Sequence, residues 1–330
     1  MKKTASAVVL FSLFALPVVA ANPRAIEDRF PRPGAKVEVK KLERSAAWVK
    51  RLLAQAREAE QGGVGTSAVI VNRSGRQLVV PSAGSVRGAF GTFYRSDITF
   101  VNYNEADQDV VVVWFPTGPS PDAFEIAAVT IPGGAPPFTF EDFVGEGLGL
   151  SGLGSLVFLP VFNDGFDEDA AIDIYSRIWS PQPNAAGIVS FPFPAVDLNH
   201  LRGEFEAIIL GLKQDSVHRT NVGLVNVSEE DDLVFTVYVL TEDGIVADTG
   251  QISVPAGSML QRPVPAGAFG NFSLLIDVED PDEQLSNDFA WTAYASSNNN
   301  ISNDGWVSIA ANPYDDDDLD TAGARQPRNR

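Results

Sequence analysis

The chain carries nearly the same strand pattern twice, and any fold it adopts has to accommodate both copies. The first begins Arg95-Ser96-Asp97-Ile98-Thr99-Phe100-Val101-Asn102 and the second Arg219-Thr220-Asn221-Val222-Gly223-Leu224-Val225-Asn226, an offset of 124 residues. The same offset carries Val110 to Phe115 onto Val234 to Val239 and sets Trp114 opposite Tyr238. Val129-Thr130-Ile131-Pro132 then matches Ile252-Ser253-Val254-Pro255, each a strand stopped by a proline that lacks the N–H a ladder needs. Further on, Leu156 to Val161 answers Ser273 to Val278, Ile174-Tyr175 answers Ala293-Tyr294, and Gly187 to Phe191 answers Gly305 to Ile309. The drift in offset between blocks belongs in loops, where insertions cost least.

The apolar runs are short and rich in Val, Ile, Phe and Thr, as in Ser96 to Asn102, Asp109 to Phe115, Leu156 to Phe162, Asp232 to Leu240 and Phe272 to Val278. Ile98, Phe100 and Asn102 share one side of their run, and Asp97, Thr99 and Val101 the other, which is the period of a strand. With 28 glycines and 22 prolines spread between such runs, the pattern predicts an all-β chain of sandwiches or barrels. The two copies place a first β domain over residues 64–198 and a second over 199–314.

The ends differ from the repeat. Lys2 and Lys3, the apolar stretch from Ala5 to Val19 and the small residues at Val18-Val19-Ala20-Ala21 predict a signal peptide over residues 1–21. No later run is apolar for long enough to span a bilayer, so no membrane span is expected after cleavage. Residues 22–63 read as a proline-containing linker followed by an amphipathic helix over Leu42 to Gln61, with Leu42, Ala46, Val49, Leu53 and Ala56 at helical spacing and Gly62-Gly63 as the stop. That helix is expected as a lid on the first β domain, with an arm that meets another subunit as the alternative. Residues 315–330, acidic from Asp315 to Asp318 and then carrying Arg325, Arg328 and Arg330, read as a flexible tail.

Losing Lys2 and Lys3 takes the basic side chains from 24 to 22 against 43 acidic ones, a formal charge of −21. Such a surface repels phosphate backbones, so no nucleic-acid partner is expected. The absence of cysteine removes disulfides, thiolate metal sites and a cysteine nucleophile together. The two β domains must therefore be held by their cores.

Most chemical motifs dissolve on inspection. Gly147-Leu148-Gly149-Leu150-Ser151-Gly152 fits the spacing of a dinucleotide fingerprint, but that fingerprint works only between a parallel strand and a helix; here it reads as a glycine-rich loop or short helical turn. Ser151 is no nucleophile elbow, since position 153 is Leu. His200 and His218 are the only histidines, which leaves almost no material for a triad or a multi-histidine metal site, and both are expected in exposed polar roles. Asp164, Asp167 and Asp169 are the best calcium candidates among several acidic loops, because hard cations take six to eight oxygens at varied angles. Other acidic loops lie at Glu229 to Asp232 and Asp277 to Glu283, and like-charge runs commonly just stay in water. Arg95, Asp97, Arg219 and Asn221 read either as ligand groups at equivalent places or as strand-end structure, with Asn102 and Asn226 capping the following turns.

The stretches Phe90 to Asp97, Leu150 to Gly154 and Arg219 to Asn226 resemble uncharacterised secreted bacterial proteins built from tandem immunoglobulin-like β-sandwich domains, over roughly Val80 to Pro313. The resemblance implies two tandem antiparallel immunoglobulin-like β-sandwiches and an exported bacterial protein, and it carries over no catalytic residue or cofactor. A bacterial origin leaves the sequons at Asn72, Asn226, Asn271 and Asn300 without glycans. The expected function is a secreted, non-enzymatic interaction or structural protein of the cell envelope or extracellular space, with a protein or glycan partner. Alternatives are a carbohydrate-binding module using Tyr103, Trp179 and Trp306 as a platform, a calcium-ordered adhesin, and more distantly a glycosidase with paired carboxylates.

Overall fold

A computed structural model describes residues 38–61, 76–88, 91–118, 124–182, 187–228, 230–280, 285–286, 289–302 and 304–313. The expected signal peptide, the linker up to residue 37, Asn72 and the tail lie outside the described residues. In chain order the N-terminal half holds β1 (Glu38–Lys41), α1 (Ala46–Gln61), β2 (Leu78–Arg87), β3 (Phe93–Asn102), β4 (Gln108–Pro116), β5 (Glu125–Ile131), β6 (Phe138–Phe140), a π-turn (Phe143–Gly147), β7 (Gly152–Phe162), β8 (Gly165–Phe166), β9 (Ile172–Pro181), β10 (Ile188–Pro194) and β11 (Val196–Asp197). The C-terminal half holds β12 (Glu206–Gln214), β13 (His218–Asn226), β14 (Leu233–Thr241), β15 (Gly244–Val254), β16 (Ser258–Pro263), β17 (Gly270–Glu279), β18 (Trp291–Asn299) and β19 (Gly305–Ile309).

The described residues are all-β apart from α1 and the π-turn, and the ladders between these strands are antiparallel. The five apolar runs read as strands form β3, β4, β7, β14 and β17, with Asp232 alone falling just ahead of its strand. In the C-terminal half the strands form two sheets, β12-β17-β14-β15 and β16-β13-β18-β19. The N-terminal half repeats both orders, as β2-β7-β4-β5 and β6-β3-β9-β10. There, however, β2 runs on past a bulge between Val80 and Ala83 to pair with β3 over Ser85 to Arg87, which joins everything into one connected sheet.

Two asparagines fix this pattern. The Asn102 side chain donates to the carbonyls of Ala106 and Ile131, and its oxygen accepts from the Asn104 N–H. Asn226 does the same with Asp231, Val254 and the Ser228 N–H. Each clamps the turn after its strand to the end of the proline-stopped strand, and each is buried. The strand-end reading of these residues therefore describes their contacts.

The clamp also corrects the register read from the sequence. Asn102 reaches four residues on and Asn226 five, so the second turn is one residue longer. Gln108 pairs with Ile131 and Leu233 with Val254, which sets Val110 on Phe235 and Trp114 on Val239 rather than Tyr238. A larger shift falls at the last strand: Ile178 pairs with Phe191 and its counterpart Ser297 with Trp306, so Phe191 corresponds to Trp306 and not to Ile309.

The helix starts at Ala46, later than the apolar spacing suggested. Ser45 caps it, its hydroxyl and carbonyl both accepting from the Trp48 N–H, while the Leu42 N–H prolongs the β1 ladder by donating to Ile126. Trp48, Val49, Leu52, Leu53 and Ala56 are buried in the N-terminal core, so the helix docks as a lid on its own chain. Burying four such large side chains stabilises that half by about 1.5–3 kcal/mol each. Val110 to Phe115 are in consequence buried without alternation, whereas β14 keeps half-buried positions.

Asn102→Ala and Asn226→Ala each strand buried carbonyls, and each is expected to lower unfolding free energy by about 2–3 kcal/mol in urea titrations. The two losses should add nearly in full, because the clamps share no partner.

Candidate functional site

The best-built polar site sits on the outer face of β3 and β9, around the first copy of the repeated motif. Asp97 faces outward yet is only 4% exposed. It faces Arg177 and neighbours Trp179 on β9; the Arg177 guanidinium lies 2.5 Å from one carboxylate oxygen, and the other accepts from Trp179 Nε1 at 2.8 Å and from the Asp142 N–H. Asp142, in a left-handed conformation before the π-turn, accepts in turn from the Ser85 hydroxyl and the Gly145 N–H. Arg95 lies 3.5 Å from Asp142 and stacks over the rings of Phe93 and Trp179. Two carboxylates and two guanidiniums thus neutralise one another, and every Asp97 oxygen has a donor, which is the condition for burying a charge.

The second copy puts the same face to a different use. Register sets Asn221 on Asp97, Ser296 on Arg177, Asn298 on Trp179 and Tyr294 on Tyr175. Here the face is covered by the N-terminal half: Tyr294, Val225 and Met259 belong to the N-terminal core, and the Gly118 N–H donates to Met259. The Tyr294 ring meets Phe193 edge-on at 5.1 Å, and its hydroxyl donates to Gln261 at 2.6 Å. Burial holds that hydroxyl well above the ordinary phenol range, with Ser82 acting weakly against it. Gly223 lies directly opposite, and a Cβ there would collide with the ring. Beside the tyrosine is a cleft of about 270 Å³ between the halves, whose walls include Arg87, Tyr94 and Phe191 on one side and Arg219, Asn221 and Asn298 on the other. The four motif residues are therefore not brought together as one site: Arg95 and Asp97 join the outer cluster, while Arg219 and Asn221 line the cleft.

The calcium candidates spread along the β7–β9 connection. Asp164, at the left-handed tip of the β7–β8 hairpin, lies 2.8 Å from Arg44, and Asp167 accepts from the Asp169 N–H. Among the described residues no three His, Cys, Asp or Glu side chains are grouped to hold a metal ion. Gly147 to Gly152 link the π-turn to β7 within antiparallel ladders, so the backbone context of a dinucleotide fingerprint is missing there. Both histidines are half-buried rather than exposed: His200 Nε2 lies 2.7 Å from the Ala310 carbonyl, and His218 Nδ1 lies 3.0 Å from Asp215.

The three aromatics do not share a platform. Trp179 sits opposite Arg95 and Tyr103 follows the far end of β3, about 25 Å away at the rise of a strand. Trp306 lies on β19, its Nε1–H bonded to the Gly211 carbonyl. Sequence reasoning missed Asp142, Arg177 and Tyr294 as partners in these sites. The equivalence of Tyr175 and Tyr294 was the one available signal.

The Val217 N–H, then His218, hold the Asp215 carboxyl well below the ordinary range. A depressed folded value contributes stability above the unfolded value and loses it as pH falls towards the folded one. Asp215→Ala should therefore melt below wild type at pH 7, and the gap should close as acid goes below about pH 4. At the junction, Tyr294→Ala is expected to cost about 3–5 kcal/mol in urea unfolding, and Tyr294→Phe only about 1. No helix among the described residues is long and apolar enough to cross a membrane. Comparison with known proteins finds no matching family model, no similar curated protein and no similar solved structure.

Proposed function

We propose that this chain is an exported bacterial protein of two tandem immunoglobulin-like β-sandwiches that works by contact rather than catalysis, as an interaction or structural component of the cell envelope or extracellular space. One observation carries the reading. A sheet face already used for protein contact between the halves recurs on β3 and β9 with its equivalent tyrosine outward, Tyr175 being 57% exposed. Its polar groups are occupied with one another, so they serve to keep a firm, neutralised face rather than to supply a free acid, base or nucleophile. The basic start, apolar stretch and small-residue site at residues 1–21 support export.

Expression of the full chain in a bacterial host tests both parts. N-terminal sequencing should find a product beginning at Ala21 or Asn22 in the envelope or medium, and an intact Met1 confined to the cytoplasm would overturn export. A photo-crosslinking residue at Tyr175 should trap a protein partner while the same group at Val246, exposed on β15, traps none. Equal labelling at the two positions, or none at 175, would sink the contact reading.

A further inference from the structure

We propose that copies of this chain join head to tail, the open face of β3 and β9 on one copy receiving the distal edge of the C-terminal half of the next. The inference rests on the contact reading above and names its partner as a second copy.

The template is the junction inside one chain. There the face of β13 and β18 presents Tyr294 to an edge made by the β2 bulge and β10. Ser82, in that bulge, lies beside the tyrosine hydroxyl; Phe193 packs on its ring; and Phe191 lies over Gly305. Among the described residues, parts of both sides recur uncovered by the other half, with Ser308 in the place of Phe193 and Gly211 in the place of Ser82. The tyrosine recurs as Tyr175 on β9. The bulge recurs in β12: Val80 and Ala83 flank Pro81-Ser82 as Ile209 and Leu212 flank Leu210-Gly211, each pair facing one intervening residue on the partner strand. Phe191 recurs as Trp306.

These equivalent positions are also where large apolar side chains face water. Tyr175 is 57% exposed, Leu210 59% and Trp306 36%. Phe162, Ile188, Ile245 and Ile301 also face water, so the match to the internal junction, and not exposure alone, marks these positions as contact surfaces. Thr99, hydrogen-bonded to Thr139, occupies the place of Gly223, so Tyr175 has no slot beneath it and its ring is offered outward. Trp306 is held upright by its bond to Gly211, with the His218 ring 6.2 Å away. The rim charges are opposite as well, with Arg177 half exposed on the receiving face and Asp304 exposed next to the Gly305–Trp306 edge. Because the two surfaces differ, the contact is heterologous and its repetition extends an open row of copies instead of closing a two-fold dimer.

Sedimentation velocity on the mature chain, residues 22–330, tests this directly. Wild type should grow in mass with concentration, beyond a dimer, and the growth should weaken in high salt. Tyr175→Asp and Leu210→Asp change exposed side chains, so both should melt with wild type and each should remain monomeric. An equal mixture of the two retains one intact face and one intact edge, and should stop at a dimer. A wild type that stays monomeric at its highest soluble concentration, or variants that associate like wild type, would overturn head-to-tail joining. A monomeric wild type whose Tyr175 position still crosslinks one different protein would overturn the self-partner alone and leave the contact reading standing.

Discussion

A sheet has two faces, and an outer face must be covered by something apolar or made of groups that tolerate water. Most of the chemistry in this chain follows from how four outer faces meet that constraint. Helix α1 covers one, and β4 beneath it is apolar on both sides. The N-terminal half covers the face of β13 and β18. The face of β14 and β17 stays partly open to solvent and carries the half-buried Tyr238, Leu275 and Asp277. The face of β3 and β9 is polar by a different route: its charges are matched so closely that one carboxylate is nearly inaccessible.

The contrast between the two tyrosine-bearing faces follows from desolvation. Asp97 is already withdrawn from water by Arg177, Trp179 and the Asp142 N–H, so this face carries its charges as a matched set, with only Arg177 still half exposed. At the covered face the same positions hold Asn221 and Ser296, which are uncharged and much cheaper to bury. Gly223 completes the difference by letting a tyrosine ring lie against the sheet. Two strands of common pattern thus become a solvent-tolerant face or an internal junction through a few side chains, without any change in the ladder.

How far the sequence exposed this depends on distance along the chain. Asn102 and Asn226 were legible because each acts on backbone within its own turn and on a strand whose proline ending is itself a local signal. The helix stripe was legible for the same reason, although its first turn was misplaced because Leu42 extends a ladder that only the pairing with β5 reveals. The one-residue slip at Trp114 was hidden, since Val-rich runs match one another at either register and the deciding length lies in a turn. The burial of Asp97 was also hidden. An acid on the outward side of an alternating strand reads as wet, and its covers, Arg177 and Trp179, arrive from 80 and 82 residues away.

The same reasoning explains why the acidic loops were weak guides. Carboxylates in a chain of formal charge −19 are numerous enough that neighbours in sequence say little about neighbours in space. Asp164 pairs with Arg44 ahead of the helix, Asp167 holds the turn of its own loop, and Asp97 and Asp142, far apart in sequence, meet through a backbone N–H. Where an acid has work in this fold, that work is set by which donor the topology brings to it. A carboxylate beside a docked helix or a bulged strand is therefore better evidence of a site than any run of acids, and an exposed apolar residue whose counterpart in the other half is buried in a contact is better evidence still.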